Sequence, residues 1–185
     1  MNTKFYQPAE DSYFLAEVVK NYILNLKNKD ILVLDIGTGS GIQSKNIINL
    51  GIKKENITAT DINGDAVKEA KRFGVRAIKS DLFDKLNNKQ NHKFDLIIFN
   101  PPYLSENEYD KKPDTTGGKL GDETIVRFIK HLKNHLEKEG VCFVLTSSLT
   151  PEIKWKKEAR EQKLKVKKAA YKNLFFEKLY VWAIN

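Results

Sequence analysis

Apolar residues along the chain follow two spacings. Short, nearly unbroken apolar runs, such as residues 31–34, 94–99 and 141–145, are typical of strands that are buried on both faces of a sheet. Between these runs, apolar residues recur every three or four positions, as between residues 13 and 26, which predicts amphipathic helices. Strands and helices that alternate at this pace predict a parallel sheet with right-handed crossovers.

The complete pattern predicts seven strands. They are expected at residues 31–35, 57–61, 75–78, 94–99, 141–145, 165–170 and 175–184. Helices are expected at residues 13–26, after a glycine turn up to residue 50, and at residues 66–73, 123–136 and 151–163. The last two strands have only a short link through Asn173 and are expected to pair antiparallel. The expected fold class is therefore α/β, with a seven-stranded mostly parallel sheet, a C-terminal antiparallel hairpin and helices on both faces.

Length and composition are those of one globular domain. The 185 residues, 41% hydrophobic and 30% charged, are enough to bury a core, so we expect residues 1–185 to form a single domain. No apolar run approaches the ~20 residues of a membrane span. The polar start also lacks a signal-peptide pattern, which predicts a cytoplasmic location without membrane contact. Cys142 is the only cysteine, lies in an apolar run and is predicted to be a core residue.

Positive charge is concentrated near the C-terminus. The chain carries a net charge of +8, and residues 151–172 hold nine lysines or arginines against three glutamates. Such a segment is either a solvated face or a surface for an acidic partner such as nucleic acid.

The stretch Asn100-Pro101-Pro102-Tyr103 directly follows the apolar run 94–99. The two prolines end the strand at once because neither can donate a ladder hydrogen bond. The result is a stiff corner at the carboxyl end of a buried strand, where open α/β sheets bind ligands. The side-chain carbonyl of Asn100 and the backbone carbonyl of Pro101 could accept two hydrogen bonds from one substrate nitrogen.

A glycine turn, Gly37, Gly39 and Gly41, follows the first strand. Glycines allow the backbone to approach a ligand closely and leave helix N–H groups available. Ile42 stands where a dinucleotide fingerprint has its last glycine, which disfavours hydride-transfer cofactors. No lysine follows the glycines as in a P-loop, which disfavours ATP.

Three acidic residues stand at the ends of the first three strands. Asp35 is placed to hold a cationic amino group, and Asp61 to bind a ribose diol with both carboxylate oxygens. Asp81, followed by Leu82, is placed to accept a hydrogen bond from an exocyclic adenine amine. Any one of these acidic residues alone would be interpreted as an ordinary loop residue. Three acidic residues at the ends of neighbouring strands, beside a glycine turn, predict a cofactor site.

This pattern resembles the class I S-adenosylmethionine-dependent methyltransferases, whose fold is Rossmann-like, from about residue 6 to the end. The closer resemblance is to the HemK/PrmC group of protein-glutamine methyltransferases. Residues 34–41, Leu-Asp-Ile-Gly-Thr-Gly-Ser-Gly, are similar to the group's cofactor loop, and Asn-Pro-Pro-Tyr at residues 100–103 is its substrate motif. The opening at residues 6–12, Tyr-Gln-Pro-Ala-Glu-Asp-Ser, resembles that of the short archaeal and eukaryotic branch, which usually has Thr in place of Ser12.

The resemblance implies an N-methyltransferase that uses S-adenosyl-L-methionine and methylates the glutamine amide in the Gly-Gly-Gln motif of a class I translation release factor. It implies catalytic roles for Asn100, Pro101, Pro102 and Tyr103, with the tyrosine packed against the amide. The cofactor-binding residues that it implies are Ser12, Asp35, Gly37, Gly39, Gly41, Asp61, Asp81, Leu82 and Asn100. No metal site is expected, and His131 and His135 are interpreted as surface or packing residues.

The resemblance also implies a partner and a substrate loop. Short members of the branch work with a small zinc-binding activator subunit, for which the outer strand from Val75 to Ile78 offers open backbone groups. Residues 104–121 form a long polar stretch after the corner, which is typical of a functional or disordered loop. Gly117, Gly118 and Gly121 within it are similar to glycines that follow the group's substrate loop.

Three alternatives remain open at this point. A neutral lysine amine fits the same acceptors as a glutamine amide. A nucleic-acid methyltransferase acting on adenine N6 or guanine N2 would use the same four-residue motif, with Tyr103 stacked on a flipped base. Trp155 and Tyr171 among the basic residues 151–172 favour this reading. The third alternative is a cofactor-binding subunit without catalysis, against which the intact acids and Asn100 argue.

Overall fold

A computed structural model describes residues 5–86, 93–104 and 117–185. The helices of this part of the chain are α1 (Glu10–Leu24), α2 (Ile42–Asn49), α3 (Gly64–Arg72), α4 (Glu123–His135) and α5 (Ile153–Glu161), with a short 3-10 turn at Lys54–Asn56. Its strands are β1 (Val33–Ile36), β2 (Ile57–Asp61), β3 (Arg76–Lys79), β4 (Phe94–Phe99), β5 (Leu136–Ser147), β6 (Val166–Asn173) and β7 (Lys178–Ile184).

These strands form one sheet in the order β3-β2-β1-β4-β5-β7-β6. The first five strands pair in parallel, and β7 is antiparallel to both β5 and β6. The predicted mostly parallel sheet with a C-terminal antiparallel hairpin is therefore confirmed. The hairpin turn comprises residues 174–177 instead of Asn173, because Asn173 still pairs with Lys178. The backbone N–H of Leu174 closes the turn by donating to the carbonyl of Glu177 at 2.8 Å.

Two elements differ in length from the sequence prediction. Helix α1 begins at Glu10, three residues early, and has Glu10 and Asp11 in its first turn, where acidic side chains suit the helix dipole. Strand β5 begins at Leu136 instead of residue 141 and follows α4 without a loop. Leu136 pairs with Phe94, and a bulge separates this pair from the regular pairing further along. The polar residues 137–139 concealed this part of the strand from a pattern of apolar runs.

Helices cover both faces of the sheet, as predicted. The side chains of α1, α2 and α3 pack on one face, and those of α4 and α5 pack on the other. Cys142 lies in the core between the sheet and helices α4 and α5, which confirms the predicted core position, and burial raises the pKa of its thiol. His135 is also packed, because its ring stacks on Phe83 with centroids 4.3 Å apart. The described residues include no helix that is both long and apolar enough to cross a membrane.

Strands β3 and β6 are the two edge strands of the sheet. The prediction that the strand near Val75 is an outer strand is thereby confirmed. The basic residues 151–172 belong mainly to α5 and β6, at the opposite edge. Two of their ammonium groups cover aromatic rings, since Lys156 lies 4.0 Å from the ring of Trp182 and Lys168 lies 4.0 Å from the ring of Tyr180.

Candidate active site

A cavity of about 610 Å³ opens at the carboxyl ends of β1, β2, β3 and β4. Nine of the residues predicted for the site line it: Ser12, Asp35, Gly37, Gly39, Asp61, Asp81, Leu82, Asn100 and Pro102. Three predicted residues, Gly41, Pro101 and Tyr103, lie next to this lining without being part of it. Strand ends from both halves of the parallel sheet therefore bring most of the predicted residues together.

The glycine turn between β1 and α2 is left-handed at all three glycines. Gly37, Gly39 and Gly41 have φ angles of 63°, 52° and 76°, a region that other residues rarely adopt. At Gly41 space is also limiting, because an added Cβ would overlap the ring of Phe73. Gly41 thus allows α2 to start against α3, while the first two glycines line the cavity.

Asp35, at the end of β1, is buried at the base of the cavity. One of its oxygens, Oδ2, accepts hydrogen bonds from the hydroxyls of Thr38 and Ser44, each at 2.7 Å, and from the Ser44 N–H at 3.2 Å. Burial nevertheless raises the pKa of Asp35 to about 6, with a smaller contribution from the charge of Asp61. A cationic group in the cavity would oppose this shift and favour the ionised carboxylate.

Asp61, at the end of β2, is tied to the glycine turn. Its Oδ2 accepts from the N–H of Gly39 at 2.8 Å, and its Oδ1 accepts from the N–H of Asn63 at 2.8 Å. Both oxygens thus act as hydrogen-bond acceptors at the edge of the cavity. The bond to Gly39 also fixes the distance between the two strand ends that flank the cavity.

Asp81, after β3, pairs with a residue that the sequence analysis did not select. Its Oδ2 accepts from the guanidinium of Arg127 on α4 at 2.7 Å, and both side chains line the cavity and are partly exposed. Leu82 follows with a φ of 46°, an unusual backbone for a branched residue. The ion pair links the two sides of the cavity mouth.

Asn100 is held by an acid from the other end of the chain. The Nδ2 group of Asn100 donates to Oδ2 of Asp11 at 2.9 Å. Asp11 is buried and also accepts from the hydroxyl of Tyr6 and from the N–H and hydroxyl of Ser12. Because the carboxylate takes the amide NH₂, the Oδ1 of Asn100 has to face away from it, and this atom is buried without a hydrogen-bond partner among the described residues.

The rest of the corner is fixed by packing. Pro101 is buried, and Tyr103 is partly buried against the core under α1. Burial raises the pKa of the Tyr103 hydroxyl, and the charges of Asp11 and Glu177 raise it further. This hydroxyl therefore stays neutral at physiological pH.

The segment after the corner returns to it. The N–H of Gly117 donates to the carbonyl of Leu104 at 2.8 Å, and an added Cβ on Gly117 would lie 2.6 Å from the carbonyl oxygen of Pro102. Gly117 is therefore required for close packing on the corner. Residues 105–116, which belong to the predicted long loop, lie outside the described residues.

Several residues of the site escaped the sequence analysis. They include Asp11, Thr38, Ser44 and Arg127, each of which bonds a predicted residue, and Tyr6, which donates to Asp11. Asp11 was part of the quoted opening at residues 6–12, and its acidic side chain there was the one available signal. Arg127 had no signal, because it is one of several cations on the exposed side of a helix.

A family model places the chain among known proteins. The model of the methyltransferase small domain matches residues 12–174. The chain belongs to the methyltransferase small domain family. Within it, the chain is 40% identical over 193 residues to a Methanocaldococcus jannaschii protein named "Putative protein N5-glutamine methyltransferase", an alignment that covers 98% of this chain and 91% of the relative.

Solved methyltransferases share the fold. The structure of the E. cuniculi Mtq2-Trm112 complex, described as responsible for methylation of the eRF1 translation termination factor, matches with a TM-score of 0.78 at 22% identity and 98% coverage of both chains. The T. Thermophilus 16S rRNA N2 G1207 methyltransferase, solved with AdoMet and guanosine, matches with a TM-score of 0.67 at 16% identity, covering 96% of this chain and 43% of the other. At these identities the likeness concerns the fold alone.

Proposed function

We propose that the cavity binds S-adenosyl-L-methionine. Its volume of about 610 Å³ is that of a cofactor site. The donor set also fits, because an amino cation would stabilise the buried carboxylate of Asp35, and Asp61 suits a ribose diol. Asp81 and Leu82 would hold the adenine, and Ser12 and the glycine turn would surround the rest of the molecule. When bound, the cofactor supplies a methyl group on a sulfonium, which is a good leaving group.

We infer that the acceptor is a side-chain amide nitrogen held at Asn100. The observation that supports this inference is the buried Oδ1 of Asn100, which has no hydrogen-bond partner among the described residues. A buried acceptor in that state costs free energy that a substrate N–H would recover. The carbonyl of Pro101, next along the corner, would take the second N–H of the same nitrogen.

Orientation is the main contribution of these residues. An amide nitrogen is a poor nucleophile because its lone pair is delocalised into the carbonyl. Two acceptors on one corner would aim that nitrogen at the methyl group, and a fixed approach of this kind accounts for a large part of an enzyme's rate enhancement. Asp11 contributes by keeping the carbonyl of Asn100, and not its NH₂ group, turned toward the acceptor. Tyr103 is proposed to pack near the amide and exclude water.

The proposed substrate is the glutamine of the Gly-Gly-Gln motif in a class I translation release factor. The 40% identity to a relative named for N5-glutamine methylation supports glutamine, and the likeness to the Mtq2-Trm112 structure supports a release factor. A neutral lysine would satisfy the same two acceptors, so lysine remains an alternative acceptor. Residues 1–185 would act as one methyltransferase domain in the cytoplasm, where translation factors work.

A small partner subunit is part of the proposal. The similar Mtq2 structure was solved with Trm112, and β3 here is an edge strand with backbone groups available for pairing. We propose that a small activator, zinc-binding in the related branch, adds to this strand. The basic residues 151–172, at the opposite edge, would then remain available to an acidic surface such as ribosomal RNA.

A labelling assay tests the function. Labelled S-adenosylmethionine would be offered with a release factor, its variant with alanine in place of the Gly-Gly-Gln glutamine, a lysine-rich protein and total RNA. We expect label on the intact factor and none on the variant. Label on RNA alone would replace the proposal with base methylation, and label on the lysine-rich protein alone would replace glutamine by lysine.

A further inference from the structure

The turn of the C-terminal hairpin presents two phenylalanines to solvent. Phe175 and Phe176 lie between β6 and β7 and are 92% and 87% exposed. Their rings contact each other edge to face, with centroids 4.6 Å apart. Two adjacent aromatic rings at this exposure contribute nothing to the core and form an apolar patch of the kind that marks binding surfaces. We refer to residues 174–177 as the hairpin tip.

The hairpin tip stands at the same end of the sheet as the Asn100 corner. Strand β7 runs antiparallel to β5, so that Leu179 near its start pairs with Ser147 at the end of β5. Strands β4 and β5 are parallel and adjacent, which puts the end of β5 beside the corner that follows β4. The tip therefore projects from the same end of the sheet as the cavity, two strands beyond the strand that carries the corner.

Several hydrogen bonds hold the tip in place. The hydroxyl of Ser147 donates to the carboxylate of Glu177. The N–H of Ser148 donates to the carbonyl of Lys178 at 2.7 Å, and the N–H of Lys178 donates to the hydroxyl of Ser148 at 3.0 Å. Leu174, at the start of the turn, packs on the core under α1. The two phenylalanines are thus carried on a fixed support.

The tip is connected to the corner itself. Tyr103 packs on the same core cluster as Leu174, and the charge of Glu177 acts on the Tyr103 hydroxyl. On the other side, Lys172 in β6 pairs with Glu10 at 3.6 Å. Glu10 precedes Asp11, whose carboxylate holds Asn100. The hairpin tip and the Asn100 corner are therefore linked through the core cluster around Tyr103 on one side and through Glu10 and Asp11 on the other.

We propose that Phe175 and Phe176 form a docking surface for the protein that carries the methyl-accepting side chain. This inference rests on the proposed function. A protein substrate has to deliver one side chain to Asn100, and the residues around that side chain then lie on the surface next to the corner. The hairpin tip is part of that surface, so we expect apolar side chains of the substrate to cover the two rings. Leu149, in the loop after β5, is also exposed, and its N–H donates to the Ser147 hydroxyl that holds Glu177 of the tip.

A protein fits this surface better than a nucleic acid does. The two rings are nearly perpendicular to each other and almost fully exposed, which suits apolar side chains. A nucleic-acid surface would need cations among rings that bases can stack on. Lysines flank the tip, but no cation–ring contact involves Phe175 or Phe176 among the described residues; the lysines that cover aromatic rings, Lys156 and Lys168, lie in α5 and β6.

The test compares the double variant Phe175→Ala/Phe176→Ala with Leu24→Ala. Leu24 is 55% exposed but ends α1, about 20 Å along the helix from Glu10, which lies near the corner. Initial rates of methylation of an intact release factor would be measured at saturating cofactor. We expect KM for the factor to rise by at least about tenfold in the double variant, with kcat and cofactor affinity within twofold of wild type. Leu24→Ala should leave all three unchanged.

The outcomes separate this inference from the function on which it rests. A double variant whose KM for the factor stays within twofold of wild type would overturn the docking surface and leave the proposed function standing. A wild type that transfers no methyl group to the factor would overturn both. Sedimentation velocity adds a further check. A wild-type dimer that the double substitution converts to monomers would make the tip a contact between copies and would overturn the inference.

Discussion

The substitution Asp11→Asn probes how Asn100 is oriented. In the wild type, Oδ1 of Asp11 accepts from the N–H of Ser12 at 2.6 Å, and Oδ2 accepts from Nδ2 of Asn100 at 2.9 Å. An introduced amide would keep its oxygen on the Ser12 N–H, since that bond is local. Its NH₂ group would then face the NH₂ group of Asn100, donor against donor. We expect the Asn100 amide to turn over, so that it presents NH₂ instead of a carbonyl to the acceptor nitrogen.

The size of the effect follows from the bond that is lost. A hydrogen bond to a charged group contributes about 1.5–3 kcal/mol, and about 2 kcal/mol of lost orientation lowers kcat about thirtyfold. Rates at saturating cofactor and substrate would measure the loss, while titration calorimetry should give an unchanged cofactor affinity. Tyr6→Phe is the matched control, because it removes a hydroxyl from the same carboxylate and leaves the bond to Asn100 in place. A kcat within threefold of wild type for Asp11→Asn, with normal thermal stability, would refute the orienting role.

Three other substitutions test separate parts of the site. Asn100→Ala should abolish turnover with cofactor affinity within a few-fold of wild type, as measured by calorimetry; turnover near the wild-type rate would remove the assigned role of Asn100. Gly117→Ala should lower kcat by at least about tenfold and the melting temperature by a few degrees, because the new methyl group meets the carbonyls of Pro102 and Gly121. Gly64→Ala is its control, because Gly64, like Gly117, does not have a positive φ and an added Cβ there would meet only the end of the Lys79 side chain at 3.9 Å. Asp35→Asn tests the raised pKa in cofactor-free protein. Because the folded pKa of about 6 exceeds the unfolded value, the carboxyl group destabilises the wild type progressively as pH rises from about 4 to above 6. The variant lacks this dependence, so its free energy of unfolding relative to wild type should increase by about 2 kcal/mol from pH 4 to pH 7 in urea titrations. Parallel pH profiles for the two proteins would contradict the shift.

The sequence predicted the features that depend on neighbouring residues. The Asn100 corner, the glycine turn and the acids at strand ends are local patterns, and the structure brings them to one cavity. The sheet topology was also open to prediction, because strands that alternate with helices and connect by right-handed crossovers can be arranged in only a few ways. What could not be predicted were contacts between residues distant in sequence. The bond between Asp11 and Asn100 joins residues 89 positions apart, and Arg127 reaches Asp81 from a helix 46 residues later.

Strand β5 shows a different limit. After buried Leu136, residues 137–139 are polar and exposed, so no apolar run marks the start of the strand, which is placed by the pairing of Leu136 with Phe94 of β4. The exposed hairpin tip belongs to the same class, because the phenylalanines of residues 175–176 read as part of an apolar strand. Only the pairing of Asn173 with Lys178 places them outside it.

The closure between Leu104 and Gly117 has a consequence for how such an enzyme can change. The 2.8 Å hydrogen bond joins the two residues that flank the twelve-residue span 105–116, so the chain enters and leaves that span at one place beside the corner. For a span with fixed ends, doubling the length costs only about 0.6 kcal/mol of closure free energy. Its sequence and length can therefore vary with little effect on the stability of the cavity or the corner. The corner that orients the methyl acceptor can thus be inherited unchanged while the chain between residues 104 and 117 diverges.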